Sequence, residues 1–283
     1  MSSEAGGPRP APAASTIGRR RGIDVMTWPA LAGQGVDAVV TTRAGGVSQG
    51  PYASLNLGLH VGDHPARVVE NRRRAAAAVG VGLEDLVFCR QTHGRAVATV
   101  TAADRGRGSR GDADAVEATD ALATATPGVA LVMMAADCTP IVLYEPVAGV
   151  AACVHSGWRG TVARVVDAAV EAMVALGASP PRIVAGVGPC VAAARYQVGA
   201  EVVAAAGAAF GDVEGIVAGD GTGRWTFDLE AANVRILAEA GLDPENVHRS
   251  VKATGTPQFF SDRARRPCGR HAAIVVLRPG AVP

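Results

Sequence analysis

Residues 129–154, VALVMMAADCTPIVLYEPVAGVAACV, hold three apolar runs in close succession: Val129 to Ala135, Ile141 to Tyr144 and Val150 to Val154. Each run has strand length, and none alternates apolar with polar residues. Continuous runs of this kind fit strands buried on both faces, so the sheets they build are covered by further layers. Downstream, TVARVVDAAVEAMVAL (161–176) has apolar residues at helical spacing and a glycine stop at Gly177. Upstream, DAVVTT (37–42) reads as a strand running into a glycine-rich loop, RAGGVSQGPYASLNLGLHVGD (43–63). Residues 64–79 are helical in composition, with Asp63 as N-cap, Pro65 in the first turn and Gly80 as stop. Two strands, 86–89 and 96–101, bracket Gln91-Thr92-His93-Gly94. A strand over 183–187, helices over 199–209 and 229–240 (the second capped by Asp228), and a strand over 271–277 follow. Strands and helices run the whole length without a linker-like break. The expectation is one α/β domain over residues 23–283, behind a disordered tail over residues 1–22.

Composition narrows the function classes. Lys+Arg 27 against Asp+Glu 26 leaves a formal charge of +1, so neither nucleic acid nor an anionic membrane is an expected partner. No apolar stretch reaches the length of a membrane span. Five cysteines, Cys89, Cys138, Cys153, Cys190 and Cys268, are an odd and scattered set unlike a disulfide framework. The start lacks the apolar core of a secretory signal. A cytoplasmic, reduced protein is expected.

Chemistry concentrates where strands end in small-residue turns. Asp137-Cys138 follows one apolar run, His155-Ser156-Gly157 ends another, and His93 sits in a third turn. Thiolate sulfur and neutral imidazole are ligands zinc prefers, and three protein ligands leave a fourth position open. Copper accepts the same set. Spacing alone does not separate this from the commoner arrangement of an inert buried cysteine beside unrelated histidines, since no CxxC or HExxH pair is present. Cys153, inside a strand, reads as core. Cys89 and Cys268 also read as structural, and Cys190 is open between site-lining and packing. The glycine-rich loop lacks the ending of a phosphate-binding P-loop. The basic run RARRPCGR (263–270) suits either phosphate or simple solvation.

Several ordered motifs together make the chain resemble the YfiH-type proteins, also described as multicopper polyphenol oxidoreductase or laccase-like proteins and as peptidoglycan editing factors. They are TTRAGGVSQGPYASLNLGLHVGD with Asn71-Arg72, then QTHG, DADA, ADCTPIVLYEP, HSGWRGT, GVGPC with YQVG, and FFSDR. The resemblance covers about residues 37–277. It implies a four-layer α/β/β/α sandwich with mixed sheets, and a metal centre on His93, Cys138 and His155. It also implies purine nucleoside chemistry: phosphorolysis of adenosine, inosine and methylthioadenosine, with adenosine deamination. The family's usual FFSYRR reads FFSDRA here, with Asp262 in place of Tyr and Ala264 in place of the second Arg, while Arg263 remains.

The expectation is therefore a zinc enzyme (copper being the other candidate metal) whose partners are a purine nucleoside and phosphate. Arg43, Asn56 and Arg263 are candidates for gripping substrate. Asp137 would move a proton or orient a ligand imidazole. A cysteine hydrolase acting on cell-wall precursors, with Cys138 as nucleophile and His155 as base, is the alternative. Copper oxidation of phenols fits less well, because six histidines without a His-x-His pair cannot build several copper clusters.

Overall fold

The computed structural model describes residues 14–33 and 35–280. One sheet is built from β1 (Thr16–Arg20), β2 (Ile23–Thr27), β3 (Val36–Thr41), β4 (Leu86–Val87), β7 (Ala130–Ala135) and β15 (His271–Leu277), in the order β1-β2-β3-β15-β7-β4. The other contains β5 (Val97–Thr99), β6 (Ala121–Thr124), β8 (Thr139–Glu145), β9 (Val150–Ser156), β10 (Val184–Val187) and β14 (Val247–Arg249), in the order β14-β10-β8-β9-β6-β5. Both are mixed: β4 lies parallel to β7, β5 to β6 and β10 to β14, while the remaining pairs are antiparallel. A small third sheet, β11 (Gln197–Val198), β12 (Val217–Gly219) and β13 (Trp225–Phe227), stands apart.

Layering follows from the apolar runs. Every residue of β7, β8 and β9 is buried, because each strand has one face toward the other sheet and one toward helices. Trp28, Leu131, Met133, Tyr144, Cys153 and Phe259 fill the space between the sheets. Ala75 and Ala76 of α1 (Pro65–Ala78) pack on the outer face of the first sheet against Leu86 and Ile274. Helices α3 (Val165–Ala175), α4 (Ala200–Phe210) and α5 (Leu229–Glu239) cover the second. The result is the expected α/β/β/α sandwich. Among the described residues no helix is long and apolar enough to cross a membrane.

Three local expectations need correction. Residues 16–20, assigned to the tail, form β1, which pairs residue for residue with β2 across the two-residue turn Arg21-Gly22. Both turn residues have positive φ (45° and 93°), the hairpin geometry that matches strand twist. The rest of the expected tail, residues 1–13, lies outside the described residues. The helix expected over 161–176 is two helices, α2 (Trp158–Val162) and α3, separated at Arg164 with φ 62°. Arg164 is held there by Asp167 and Glu239. Asp63 does not cap α1 in the usual way. Its carboxylate accepts from the His64 N–H and from Asn56 Nδ2, and the N-cap residue is His64.

His271 opens β15 fully buried, its ring 5.3 Å from that of Phe259, with neither nitrogen hydrogen-bonded among the described residues. Burial, with a smaller contribution from the charge of Arg270, pushes its pKa down to about 3. The unfolded imidazole takes up a proton below its ordinary value of 6.5, while the folded one stays neutral, so stability falls as pH drops from there toward 3. Urea titrations of wild type and His271→Leu from pH 7 to pH 5 should diverge by up to ~1.4 kcal/mol per pH unit, with the variant losing less. Parallel pH profiles would contradict this account.

Candidate metal centre

The β8–β9 hairpin sets the site. Its register pairs Thr139 with Ser156 and Pro140 with His155, so at the open end Cys138, just before β8, faces the end of β9. His93 arrives from the loop after β4 and adopts a left-handed φ of 61°. One ligand atom each from His93, Cys138 and His155 come within 4.8 Å of one another. The two imidazoles meet edge to face at 4.8 Å between centroids. Gly157 makes this approach possible, since a Cβ there would lie 2.7 Å from Cys138 Sγ and 3.1 Å from His93 Cδ2.

A residue absent from the sequence reading holds the cluster together. Asp120, fully buried at the start of β6, accepts hydrogen bonds from His155 Nδ1 (2.9 Å) and from the backbone N–H groups of Thr92 (3.1 Å), His93 (2.9 Å) and Gly94 (2.7 Å). The Thr92 hydroxyl adds a further donor at 3.0 Å. With Nδ1 committed to the carboxylate, His155 presents Nε2 to the cluster. Burial works against the Asp120 charge, but these donors outweigh it and hold the carboxyl well below the usual range.

The thiols differ sharply. Burial pushes Cys153 and Cys190 up to about 12 and raises Cys89 and Cys268 as well. Burial also opposes ionisation of Cys138, yet the charge and hydrogen bonds of His155 and His93 bring it down to about 6. His155 moves the other way: burial lowers it, but Cys138 and Asp120 raise it to about 9. A thiolate flanked by two imidazoles is a donor set that suits zinc, and copper equally.

The cluster opens into a cavity of about 1140 Å³ lined also by Asp137, Trp158, Tyr196 and a set of arginines that includes Arg159 and Arg263. Asp137 does not orient an imidazole as one expectation had it, because its carboxylate accepts from the Thr254 hydroxyl (2.5 Å) and the Arg263 N–H (2.7 Å). It ties residues 254–263 to the turn that carries Cys138; the orienting role belongs to Asp120. Arg43 and Asn56 do not line the cavity. Arg43 donates twice to the Ala53 carbonyl (2.9 and 2.7 Å) and stacks on Phe260. Asn56 is fully buried, donating to Gly58 O and Asp63 and accepting from the N–H groups of Gly58 and Arg270. Both build the glycine-rich loop.

Residues 37–278 match the family model described as multi-copper polyphenol oxidoreductase laccase. The chain belongs to that family, the YfiH-type proteins. Among its relatives, the purine nucleoside phosphorylase of Deinococcus radiodurans is 43% identical over 86% of this chain and 88% of its own length. Adenosine deaminase RL5, from an unknown prokaryotic organism, is 39% identical over 81% of this chain and 89% of its own. The crystal structure of the hypothetical protein YfiH from Bacillus licheniformis superposes with a TM-score of 0.86 at 30% identity, covering 90% of this chain and 96% of that one. YlmD from Geobacillus stearothermophilus gives 0.84 at 34% identity, covering 92% and 98%.

Asp120→Asn keeps the side chain's size but halves its accepting capacity and removes its charge. Competition with a chelator should show zinc affinity reduced by ~10- to 100-fold, the usual effect of losing a partner that orients a ligand. Unchanged affinity would mean that Asp120 serves only the fold.

Proposed function

We propose that this chain is a zinc-dependent purine nucleoside enzyme of the cytoplasm. It would cleave adenosine, inosine or methylthioadenosine with phosphate to free base and ribose 1-phosphate, with adenosine deamination as a second activity. The observation that carries this reading is the His93–Cys138–His155 cluster opening into an arginine-lined cavity. Relatives named purine nucleoside phosphorylase and adenosine deaminase support the same substrate class.

His93, Cys138 and His155 would hold zinc, which would supply Lewis acidity to a bound water or substrate. The remaining roles fall to the chain itself. Asp120 accepts the Nδ1 proton of His155 in a hydrogen bond, so Nε2 is the nitrogen that would bind zinc once its own proton has left. His155 and His93 keep the Cys138 sulfur ionised. Arg266 and Arg270 on the wall offer guanidinium groups to an anion, while Arg263, expected to grip substrate, donates to the Gln197 carbonyl. Trp158 and Tyr196 offer aromatic faces to a purine ring. Asp137, close to Cys138 and on the cavity wall, is the candidate for proton transfer to the departing base.

One observation favours a second reading. Cys138, His155 and Asp120 stand in the order thiol, imidazole, carboxylate, as a cysteine nucleophile, its base and an orienting acid would. That fits a hydrolase editing cell-wall precursors. His93 decides between the two, because a nucleophile–base pair has no use for a second imidazole. Multicopper oxidation is not proposed, since the chain's six histidines include no His-x-His pair.

Metal content per chain, followed by nucleoside turnover with and without phosphate, tests the main reading. His93→Ala should abolish bound metal and turnover together; a variant that lost metal yet still trapped a covalent acyl-enzyme would favour the hydrolase. Cys138→Ser should fold normally and lose at least ~10²-fold in both phosphorolysis and deamination. Cys153→Ser, which places a hydroxyl between the sheets, should cost ~1–3 kcal/mol of stability yet keep its metal. Full metal content and normal turnover in Cys138→Ser would overturn the site.

A further inference from the structure

Residues 261–270, SDRARRPCGR, place Asp262, Arg263, Arg265, Arg266 and Arg270 on the cavity wall. These arginines are not equivalent. Arg263 is engaged elsewhere, donating to the Gln197 carbonyl at 2.6 Å with its guanidinium 5.3 Å from the Tyr196 ring. Arg266 and Arg270 converge on one carboxylate. Asp262 Oδ2 lies 2.5 Å from Arg266 Nη2, and Oδ1 lies 3.3 Å from Arg270 Nη2.

The two arms differ in freedom. Arg270 is anchored: its Nη1 donates to the carbonyls of Cys268 (3.0 Å) and Gly269 (3.1 Å), and its backbone N–H donates to Asn56 Oδ1 (2.8 Å). Arg266 has a side chain 79% exposed and pairs with Asp262. Two guanidinium groups meeting on a pair of oxygens is an arrangement that grips phosphate. Here the oxygens belong to the protein. His60, on the same wall, is held toward its neutral form by burial and by the charge of Arg270, so it adds little positive charge.

We propose that Asp262 is a built-in competitor for the cavity's anion: by occupying Arg266 and Arg270 it sets how tightly this chain takes inorganic phosphate. The identity of that anion rests on the nucleoside phosphorylase reading above. Phosphate reaches the anchored Arg270 only by displacing Asp262 or by sitting beside its charge, and the exposed Arg266 is the arm that would turn from carboxylate to phosphate. A chain without an acid at this position has both arms free. The departure of FFSDRA from the pattern FFSYRR is then a lowering of phosphate affinity and no loss of the site.

Calorimetric titration of inorganic phosphate into the metal-loaded full chain tests this with wild type, Asp262→Asn and Asp262→Ser. Both variants should bind phosphate roughly tenfold more tightly, the scale of one like charge removed beside an anion at a partly screened site. Adding Arg266→Gln to Asp262→Asn should cancel the gain. In turnover, KM for phosphate should fall in the Asp262 variants while KM for the nucleoside stays put. Unchanged or weaker phosphate binding in both, with melting temperatures at the wild-type value, would overturn the proposal, as would no phosphate binding to any of these proteins. If phosphate binding responds as expected but no nucleoside is consumed, the anion site stands and the phosphorylase reading falls.

Discussion

The site depends on one buried carboxylate. Asp120 gathers three consecutive backbone N–H groups of the 92–94 loop, the Thr92 hydroxyl and the His155 imidazole. A charge this deeply buried is costly unless every lone pair is used; here five donors use them. The same contacts bring His93, on a loop, to His155, near the end of a strand. Without that carboxylate the 92–94 loop has no comparable tether, and His93, in a left-handed conformation, would lose what stabilises it there.

The sheets supply the rest of the geometry. Pairing of β8 with β9 fixes Cys138 opposite Gly157, and the pairing of β6 with β9 puts Asp120 beside His155, whose backbone N–H also donates to the Asp120 carbonyl. The chemical outcome is selective. Five cysteines sit in one chain, and burial, helped by nearby negative charge at three of them, holds four as protonated thiols. Cys138 is less enclosed than the other four and has two imidazoles for neighbours, whose charge and hydrogen bonds reverse the sign of its shift. Its place in a turn at the end of the sandwich, beside His93 and His155, distinguishes it.

Much of the fold was legible because it rests on local periodicity. Continuous apolar runs identified β7, β8 and β9 as doubly covered strands, β15 begins and ends where the reading placed it, and Asp228 caps α5 by accepting from Ala231 N–H. The β1–β2 hairpin was missed beneath the Pro/Ala composition of the chain's start, although Arg21-Gly22 between TIGRR and IDVMT carries the turn signal. Asp120 was not legible. Its partners lie 26 to 28 and 35 positions away, and a single aspartate in EATDAL offers no local pattern. Arg43 and Asn56 show the opposite failure: motif membership cannot tell a residue that shapes a loop from one that touches a ligand.

The central claim is that His93, Cys138 and His155 form one metal centre. X-ray absorption at the zinc edge on the purified, loaded protein measures this directly. The account predicts a first shell of one sulfur at ~2.3 Å and two imidazole nitrogens at ~2.0–2.1 Å, with a light atom completing it. A shell of oxygen and nitrogen alone, without sulfur, would contradict it.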